Sequence, residues 1–244
     1  MSKYLCDIAE GNVLKAVPFY KFGENPSIQN AAPEMIWTGG GALSWLTTAR
    51  TMSIASASAN DTSAGTGMRT IRVEGLDANY DEIYEVVTLN GVTPVVTTKS
   101  YLRVNRMYGV ASGSLHVNAG LITATATTDA TAQCHIPAEE GQSQKAIYTV
   151  PRKCSLYITG WNASIKKASG SSATADCDLH MRNELGTIRM IRSVGLEGVG
   201  NSAPNQRFDV PYRVPEKYDI FVEALVSTNN TDISADFQGY CIKD

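Results

Sequence analysis

The feature that most constrains the fold is a repeated loop–strand–turn pattern between residues 62 and 118. A glycine-rich loop at 64–67 leads into the segment 70–74, in which polar and apolar residues alternate. Such alternation gives a strand one wet face and one buried face. Many short strands with turns at regular spacing predict an all-β fold, and more narrowly a β-sandwich or jelly roll.

Strand signals continue through the rest of the chain. They recur at 83–89, 101–110, 121–127, 156–165, 173–182, 187–193, 218–226 and 233–241. The segment 121–127 alternates Thr with Ala, and its weak apolar face predicts an edge or interface strand. Asn90-Gly91 follows a β-branched run and predicts a hairpin. We expect at most one short helical turn, near 41–47, and a long exposed glycine-rich loop at 195–204.

A polar, linker-like patch at 137–144 separates two series of strands. We therefore expect a β-rich domain, or the first half of a sandwich, over 45–140, and a jelly-roll-like sandwich over 141–244. The sequence leaves open whether these are two sandwiches or the two sheets of one.

Residues 1–44 differ from the rest, because prolines repeatedly interrupt any regular period. The segment is nevertheless too apolar for a free tail. We expect an extended N-terminal arm that docks either on its own domain or on a neighbouring subunit. The aromatic residues expected to dock are Phe19, Tyr20, Phe22 and Trp37.

Charge and hydropathy indicate which classes of partner to expect. The 21 basic and 24 acidic residues give a net charge of −3, and the basic residues are scattered, so we expect no nucleic-acid partner. No apolar run approaches the roughly 20 residues of a membrane span, so we expect no membrane partner. The N-terminus shows no hydrophobic signal-peptide segment, which favours synthesis and assembly in a host cytoplasm.

The five cysteines lack the spacing of a metal site or a redox motif. Reduced, mostly buried thiols are expected for a cytoplasmic product. Cys6 lies in the N-terminal segment and is the candidate for an intersubunit bond.

Candidate chemistry is sparse. Asp176, Asp178 and His180 would share one face of a strand and could ligate a divalent ion, but a polar solvent face is the favoured explanation, because a flat strand face rarely encloses a cation unaided. Adjacent Cys134 and His135 would point to opposite strand faces, which disfavours a catalytic dyad. We also interpret the consecutive acids at 139–140 as a solvated turn. We therefore predict no enzyme, no cofactor and no metal.

Several tyrosines admit two interpretations. A flat amphipathic ring suits sugar binding at a receptor-binding surface, whereas most strand aromatics belong to a core or a subunit interface. The residues concerned are Tyr80, Tyr84, Tyr101, Tyr108 and Tyr148.

Several motifs along nearly the whole chain resemble a family of virion structural proteins of tailed bacteriophages, especially aquatic ones. The similar elements are Lys-Phe-Gly-Glu-Asn-Pro at 21–26, Trp-Thr-Gly-Gly-Gly at 37–41, the block at 65–79, Thr-Leu-Asn-Gly-Val-Thr-Pro-Val at 88–95, Tyr-Leu-Arg-Val-Asn-Arg at 101–106, Asn-Ala-Gly at 118–120, Tyr-Thr-Val-Pro at 148–151 and the segment 229–237. The resemblance implies a phage particle component, and the family supplies no catalytic residues to transfer.

From the resemblance we expect a symmetric oligomer, with a trimer as the first hypothesis, that is assembled on the virion. The favoured role is capsid decoration, or cement, with the arm bound to the major capsid protein. The alternative is a tail, baseplate or fibre-adaptor protein whose arm docks a tail protein. A third class, a glycan-binding or depolymerising enzyme, would need a carboxylate-lined cleft, of which the sequence gives no sign.

Overall fold

The computed structural model describes residues 3–167, 173–198 and 206–244, and most of them lie in β-strands. Within these ranges the structure has one helix, α1, at Lys3–Ala9. The strands are β1 (Ala16–Ile28), β2 (Glu34–Met35), β3 (Arg50–Ser56), β4 (Met68–Leu76), β5 (Glu82–Thr88), β6 (Val95–Tyr101), β7 (Arg103–Ser112), β8 (Ile122–Ala126), β9 (Ala132–Ile136), β10 (Ile147–Thr149), β11 (Cys154–Lys167), β12 (Thr174–Arg182), β13 (Ile188–Glu197), β14 (Gln206–Val214), β15 (Asp219–Val226) and β16 (Thr231–Lys243). The all-β prediction is confirmed.

The chain forms two compact units, and the second is inserted into the first. Unit 1 comprises residues 1–41 and 146–244, and unit 2 comprises residues 42–145. Each unit has its own pair of sheets and its own apolar core. The fold therefore contains two sandwiches, and the N-terminal segment belongs to the same unit as the C-terminal half.

Unit 1 contains two antiparallel sheets. Sheet 1 has the strand order β1-β16-β11-β14, and sheet 2 has the order β10-β15-β12-β13 with β2 paired to β15. The alternating apolar residues of both sheets meet in one core, in which Trp161 and Phe237 are opposite each other in register and fully buried. A turn joins β12 to β13, and in it the Gly186 N–H donates to the Asn183 carbonyl at 2.9 Å.

Unit 2 also contains two antiparallel sheets. Sheet 3 has the order β6-β3-β8-β9, and sheet 4 has the order β5-β4-β7. Of the two alternatives for 121–127, the edge strand is wrong, because β8 lies between β3 and β9, and the interface strand stays a prediction. Its Ala124 and Ala126 side chains are completely buried. The apolar face only looks weak in the sequence because alanine is small.

The hairpin predicted at Asn90-Gly91 is also wrong. Strand β5 pairs with β4, whereas β6 pairs with β3, so the turn crosses from sheet 4 to sheet 3. The Gly91 N–H donates to the Asp61 carbonyl at 2.8 Å, and its own carbonyl accepts from the Ser56 N–H at 3.0 Å. These long-range hydrogen bonds hold the turn against residues 56 and 61, and its two flanking strands lie in different sheets.

The helical turn predicted near 41–47 is absent, since these residues form an irregular segment that buries Leu43 and Leu46. The loop predicted at 195–204 lies mostly outside the described residues, and β13 continues to Glu197 before it.

Candidate docking surface

The N-terminal segment that we expected to dock forms an integral strand of unit 1. Strand β1 pairs with β16 over most of its length, with Pro18 opposite Tyr240, Tyr20 opposite Gln238 and Phe22 opposite Asp236. The sequence left open whether this segment docks on its own domain or on a neighbouring subunit, and the structure shows it on its own domain. On the outward face of β1 the Tyr20 side chain remains exposed.

The predicted docking aromatics on β1 divide between the two faces of sheet 1. Phe19 packs inward, with its ring centroid 4.6 Å from that of Tyr148 and 5.8 Å from that of Phe237. Tyr20 faces outward and is 57 % exposed, and its ring lies 6.0 Å from that of half-buried Phe22. Strand alternation separates neighbours in this way.

Trp37 is 4 % exposed, and its position is structural. Its indole N–H donates to the Gly41 carbonyl at 3.3 Å. A Cβ at Gly39 would lie 2.3 Å from the indole ring, so the glycine stretch allows the chain to pass close to it. The Trp-Thr-Gly-Gly-Gly element therefore holds the indole inside the protein rather than presenting it.

Helix α1 covers one end of the outward face of sheet 1. Ile8 of the helix is 2 % exposed and packs with Tyr240 of β16. The Tyr4 ring meets Tyr240 edge-on at 5.9 Å, and Tyr157 stacks on Tyr240 from the other side at 5.2 Å. These contacts fix the helix on the sheet.

A groove of about 690 Å³ runs beside α1 over the outward face of sheet 1. Its lining includes apolar and aromatic residues from the helix and from β1 and β16, together with the charged Arg207 and Asp209 of β14. With Tyr20, Phe22 and Gln238, this groove forms what we call the docking surface.

The electrostatics of the docking surface are set by partial burial. Burial raises the pKa of the Tyr20 phenol above its ordinary value, and the nearby Asp236 carboxylate raises it further. Burial also raises the pKa of Asp236, although the Asn162 amide N–H donates to this carboxylate at 3.4 Å and lowers the pKa in part. The Tyr20 phenol therefore stays protonated and uncharged at neutral pH.

The thiols lie in contrasting places. None of the five cysteines forms a disulfide in the structure, and Cys6 on α1 is half-buried while the other four are buried. Burial raises the pKa of Cys177 to about 12, with the Asp178 and Asp176 carboxylates adding to it.

The candidate metal residues lie along β12 but differ in exposure. Asp176 is exposed, whereas His180 is buried, with its Nδ1 3.0 Å from Glu223 Oε1 across the strand pair. Within the described ranges, the structure shows no group of three or more His, Cys, Asp or Glu side chains arranged to hold a metal ion.

Cys134 and His135 on β9 also separate. Cys134 is fully buried in the core of unit 2. The His135 ring lies 3.2 Å from the Thr123 hydroxyl, and burial, aided by Lys145, lowers its pKa. The two side chains are on opposite strand faces, as alternation requires.

The tyrosine set also divides. Tyr101 is completely buried, and Tyr80 and Tyr148 pack against the cores of their respective units. Tyr84 is 51 % exposed on β5, and half-buried Tyr108 lies on β7. Only these two of the five tyrosines lie on the outward face of sheet 4.

Sequence reasoning missed the helix, the groove and the contribution of β16. Outward residues at alternate positions of β16, such as Gln238 and Tyr240, were readable as a strand face, but their pairing with β1 was not. No local signal shows that residues more than 200 positions apart become neighbours.

No family model matches the chain, and no curated protein is significantly similar to it. Solved structures from infectious bursal disease virus show detectable similarity to the chain. That of the Gx strain is 10% identical over 94% of this chain and 73% of that chain, with a TM-score of 0.26. The VP2 subviral particle is 8% identical over 100% of this chain and 78% of that chain, with a TM-score of 0.24. Similarity at this level carries no argument about ancestry or function.

No helix in the described ranges is long and apolar enough to cross a membrane.

Proposed function

We propose that this chain is a non-enzymatic structural protein of a bacteriophage virion, and more narrowly a capsid decoration or cement protein. The observation that carries the proposal is the docking surface, where Tyr20 and Phe22 flank an apolar groove of about 690 Å³. The sequence resemblance to phage virion proteins supports a place in the particle. The all-β construction supports a structural role, and assembly in the host cytoplasm remains part of the proposal.

Docking would stabilise the particle by covering this aromatic surface. A buried aromatic side chain removes about 150–250 Å² from water, so covering the exposed 57 % of Tyr20 removes about 100 Å². At about 25 cal/mol per Å² this contributes about 2.5 kcal/mol per copy before the costs of association. Many copies, each binding only the assembled capsid, would together resist internal pressure.

The structure changes how this proposal must be tested. Deleting residues 1–40 would remove β1 and its ladder to β16, along with the buried Ile28 and Trp37. Such a deletion would disrupt the fold of unit 1, so loss of docking would carry no information. Point changes on the outward face avoid this problem.

The decisive variant is Tyr20→Ser combined with Phe22→Ser, added as purified protein to particles that lack the protein. We expect the apparent affinity for particles to fall at least tenfold, because the covered apolar area is lost. The matched control is Leu185→Ser, which removes a 91 % exposed apolar side chain in the β12–β13 turn. Equal occupancy by the double variant and the control would refute this surface as the anchor.

The alternative is a tail, baseplate or fibre-adaptor role with the same surface bound to a tail protein. The exposed aromatics suit either partner, so the partner must be identified by location. Particles without the protein would then keep intact heads and lose adsorption, whereas a cement protein would leave fragile capsids.

Self-association completes the proposal, with a homotrimer as the first hypothesis and Cys6 as a possible contact thiol. Light scattering on the purified chain measures the oligomer, and a monomer at particle-like concentration would oppose it. A Cys6→Ser variant that abolishes a disulfide-linked species from mature particles would identify the thiol.

A further inference from the structure

A second surface, in unit 2, carries a polar cavity of about 510 Å³. This volume lies within the about 300–1,000 Å³ range of small-molecule sites. The cavity lies at the β7 edge of sheet 4, is open to solvent and is bordered by two loops. Its polar lining includes Glu74, Arg106, Tyr108, His116, Glu140 and Gln142.

Four polar side chains of this cavity form two hydrogen-bonded pairs. Glu74 on β4 is opposite Arg106 on β7 in register. The Tyr108 hydroxyl donates to Glu74 Oε1 at 3.1 Å, and Arg106 Nη2 donates to Gln142 Oε1 at 2.9 Å. Planar polar groups beside an aromatic ring present paired donors and acceptors next to a flat apolar surface.

The two loops are held in place before any ligand arrives. Asn118 is completely buried, and its Nδ2 donates to the Pro137 carbonyl at 2.7 Å while its Oδ1 accepts from the Gly141 N–H at 2.9 Å. This side chain therefore ties the loop that carries His116 to the loop that carries Glu140.

The backbone at the rim adopts unusual conformations. His116 has a φ of 63°, and Glu139 has a φ of 67°. Non-glycine residues in this region carry a conformational cost, and such positions concentrate at functional sites. A rigid rim reduces the ordering cost of binding.

The charges of the cavity select among ligands. Glu74 and Glu140 are acidic and Arg106 is basic, so polyanions are disfavoured. The exposed Tyr84 nearby is not an open platform, because the Arg72 guanidinium lies 3.6 Å from its ring centroid. Tyr108 is the tyrosine that lines the cavity, and the Arg106 guanidinium lies 5.6 Å from its ring centroid, farther than Arg72 lies from Tyr84.

We propose that this cavity binds a neutral saccharide. Vicinal hydroxyls of the sugar are held by the Arg106 guanidinium, the Glu140 carboxylate and the Gln142 amide. The C–H face of the sugar lies against the Tyr108 ring. This role is separate from capsid docking and uses the other unit of the chain.

The test uses the full-length protein on an array of neutral, sulfated and uronic-acid glycans, followed by titration calorimetry with the best neutral oligosaccharide. We expect retention on neutral glycans, and at least a tenfold weaker affinity for Arg106→Ala and for Glu140→Gln. Both side chains are exposed, so the thermal midpoint should stay unchanged. The matched controls Arg189→Ala and Glu184→Gln, in unit 1, should bind normally.

Three results would overturn the proposal. One is the absence of any retained neutral glycan, and another is affinity that survives both cavity variants. The third is binding restricted to acidic glycans and abolished by salt, which would indicate a general charge effect. Because particle occupancy is measured separately, any of these outcomes leaves the docking proposal standing on its own test.

Discussion

The buried carboxylate of Asp61 organises the loops of unit 2, and its loss should destabilise that unit strongly. The residue is completely buried and accepts four hydrogen bonds. Oδ1 accepts from the backbone N–H groups of Met68 at 2.7 Å and Ala119 at 2.8 Å. Oδ2 accepts from the Gly120 N–H at 3.0 Å and from the Ser56 hydroxyl at 2.6 Å.

The substitution Asp61→Asn keeps the volume and replaces one oxygen with an NH₂ group. In its better orientation the amide oxygen retains the Met68 and Ala119 bonds, while the NH₂ group faces the Gly120 N–H. A buried unsatisfied donor costs about 1–3 kcal/mol, and the loss of charge assistance adds about 1 kcal/mol. We therefore expect about 2–4 kcal/mol of destabilisation, or a fall of roughly 10–20 °C in the melting of a unit of this size.

Differential scanning calorimetry of the whole chain provides the assay, because it can resolve the transitions of two units. The control is Asp129→Asn in the same unit, whose carboxylate is 39% exposed and pairs with Arg50 at 2.8 Å. A surface pair of this kind contributes about 0–1 kcal/mol. If Asp61→Asn lowers the transition no more than Asp129→Asn does, the carboxylate does not organise these loops.

Three further predictions follow from burial. Burial raises the pKa of Asp236, so ionisation of this carboxyl destabilises the native state as the pH rises through that pKa. Asp236→Asn should therefore stabilise unit 1 at pH 7, by under about 1 kcal/mol because the group is half-exposed. Below about pH 3, where the carboxyl is protonated in both states, the substitution should give no such stabilisation. An unchanged or lowered midpoint at pH 7 would contradict this. In the native protein at pH 8 a thiol reagent should label Cys6 alone, since the other thiols are buried and burial raises the pKa of Cys177 to about 12. Labelling that persists in the Cys6→Ser variant would contradict this, because a buried thiol would then be reaching solvent. Gly75→Ala should lower the free energy of unfolding, measured by denaturant titration, by about 1–3 kcal/mol, because the added Cβ would lie 2.0 Å from a backbone oxygen of β7. The control Gly195→Ala should be tolerated, because its Cβ would meet only one atom, at 3.6 Å.

Local patterns in the sequence predicted strands well where both faces were distinct. The β15 segment, Asp219–Val226, was predicted as part of a strand at 218–226 from its alternating apolar positions. The same reasoning failed at Asn90-Gly91, because the partner of each flanking strand is decided by distant residues such as Asp61. Turn chemistry reports a chain reversal and not the sheets that it joins.

For the candidate sites too, local sequence patterns predicted which residues are aromatic or polar strand residues but not which of them become neighbours. The aromatic content of β1 was visible, but its division into inward Phe19 and outward Tyr20 required the pairing with β16. The groove and the unit 2 cavity each combine segments that are far apart in the sequence. Each site lies within one unit, and its position depends on strand pairings that composition and periodicity do not encode.

The measurement that tests the central claim most directly is the copy number of this chain per virion, determined by quantitative mass spectrometry against the major capsid protein. Capsid decoration predicts a ratio near one, or a large simple fraction of it. A few to a few dozen copies would contradict decoration and move the protein to the tail. Absence from purified particles would refute a virion role altogether and reopen the question of enzymatic activity.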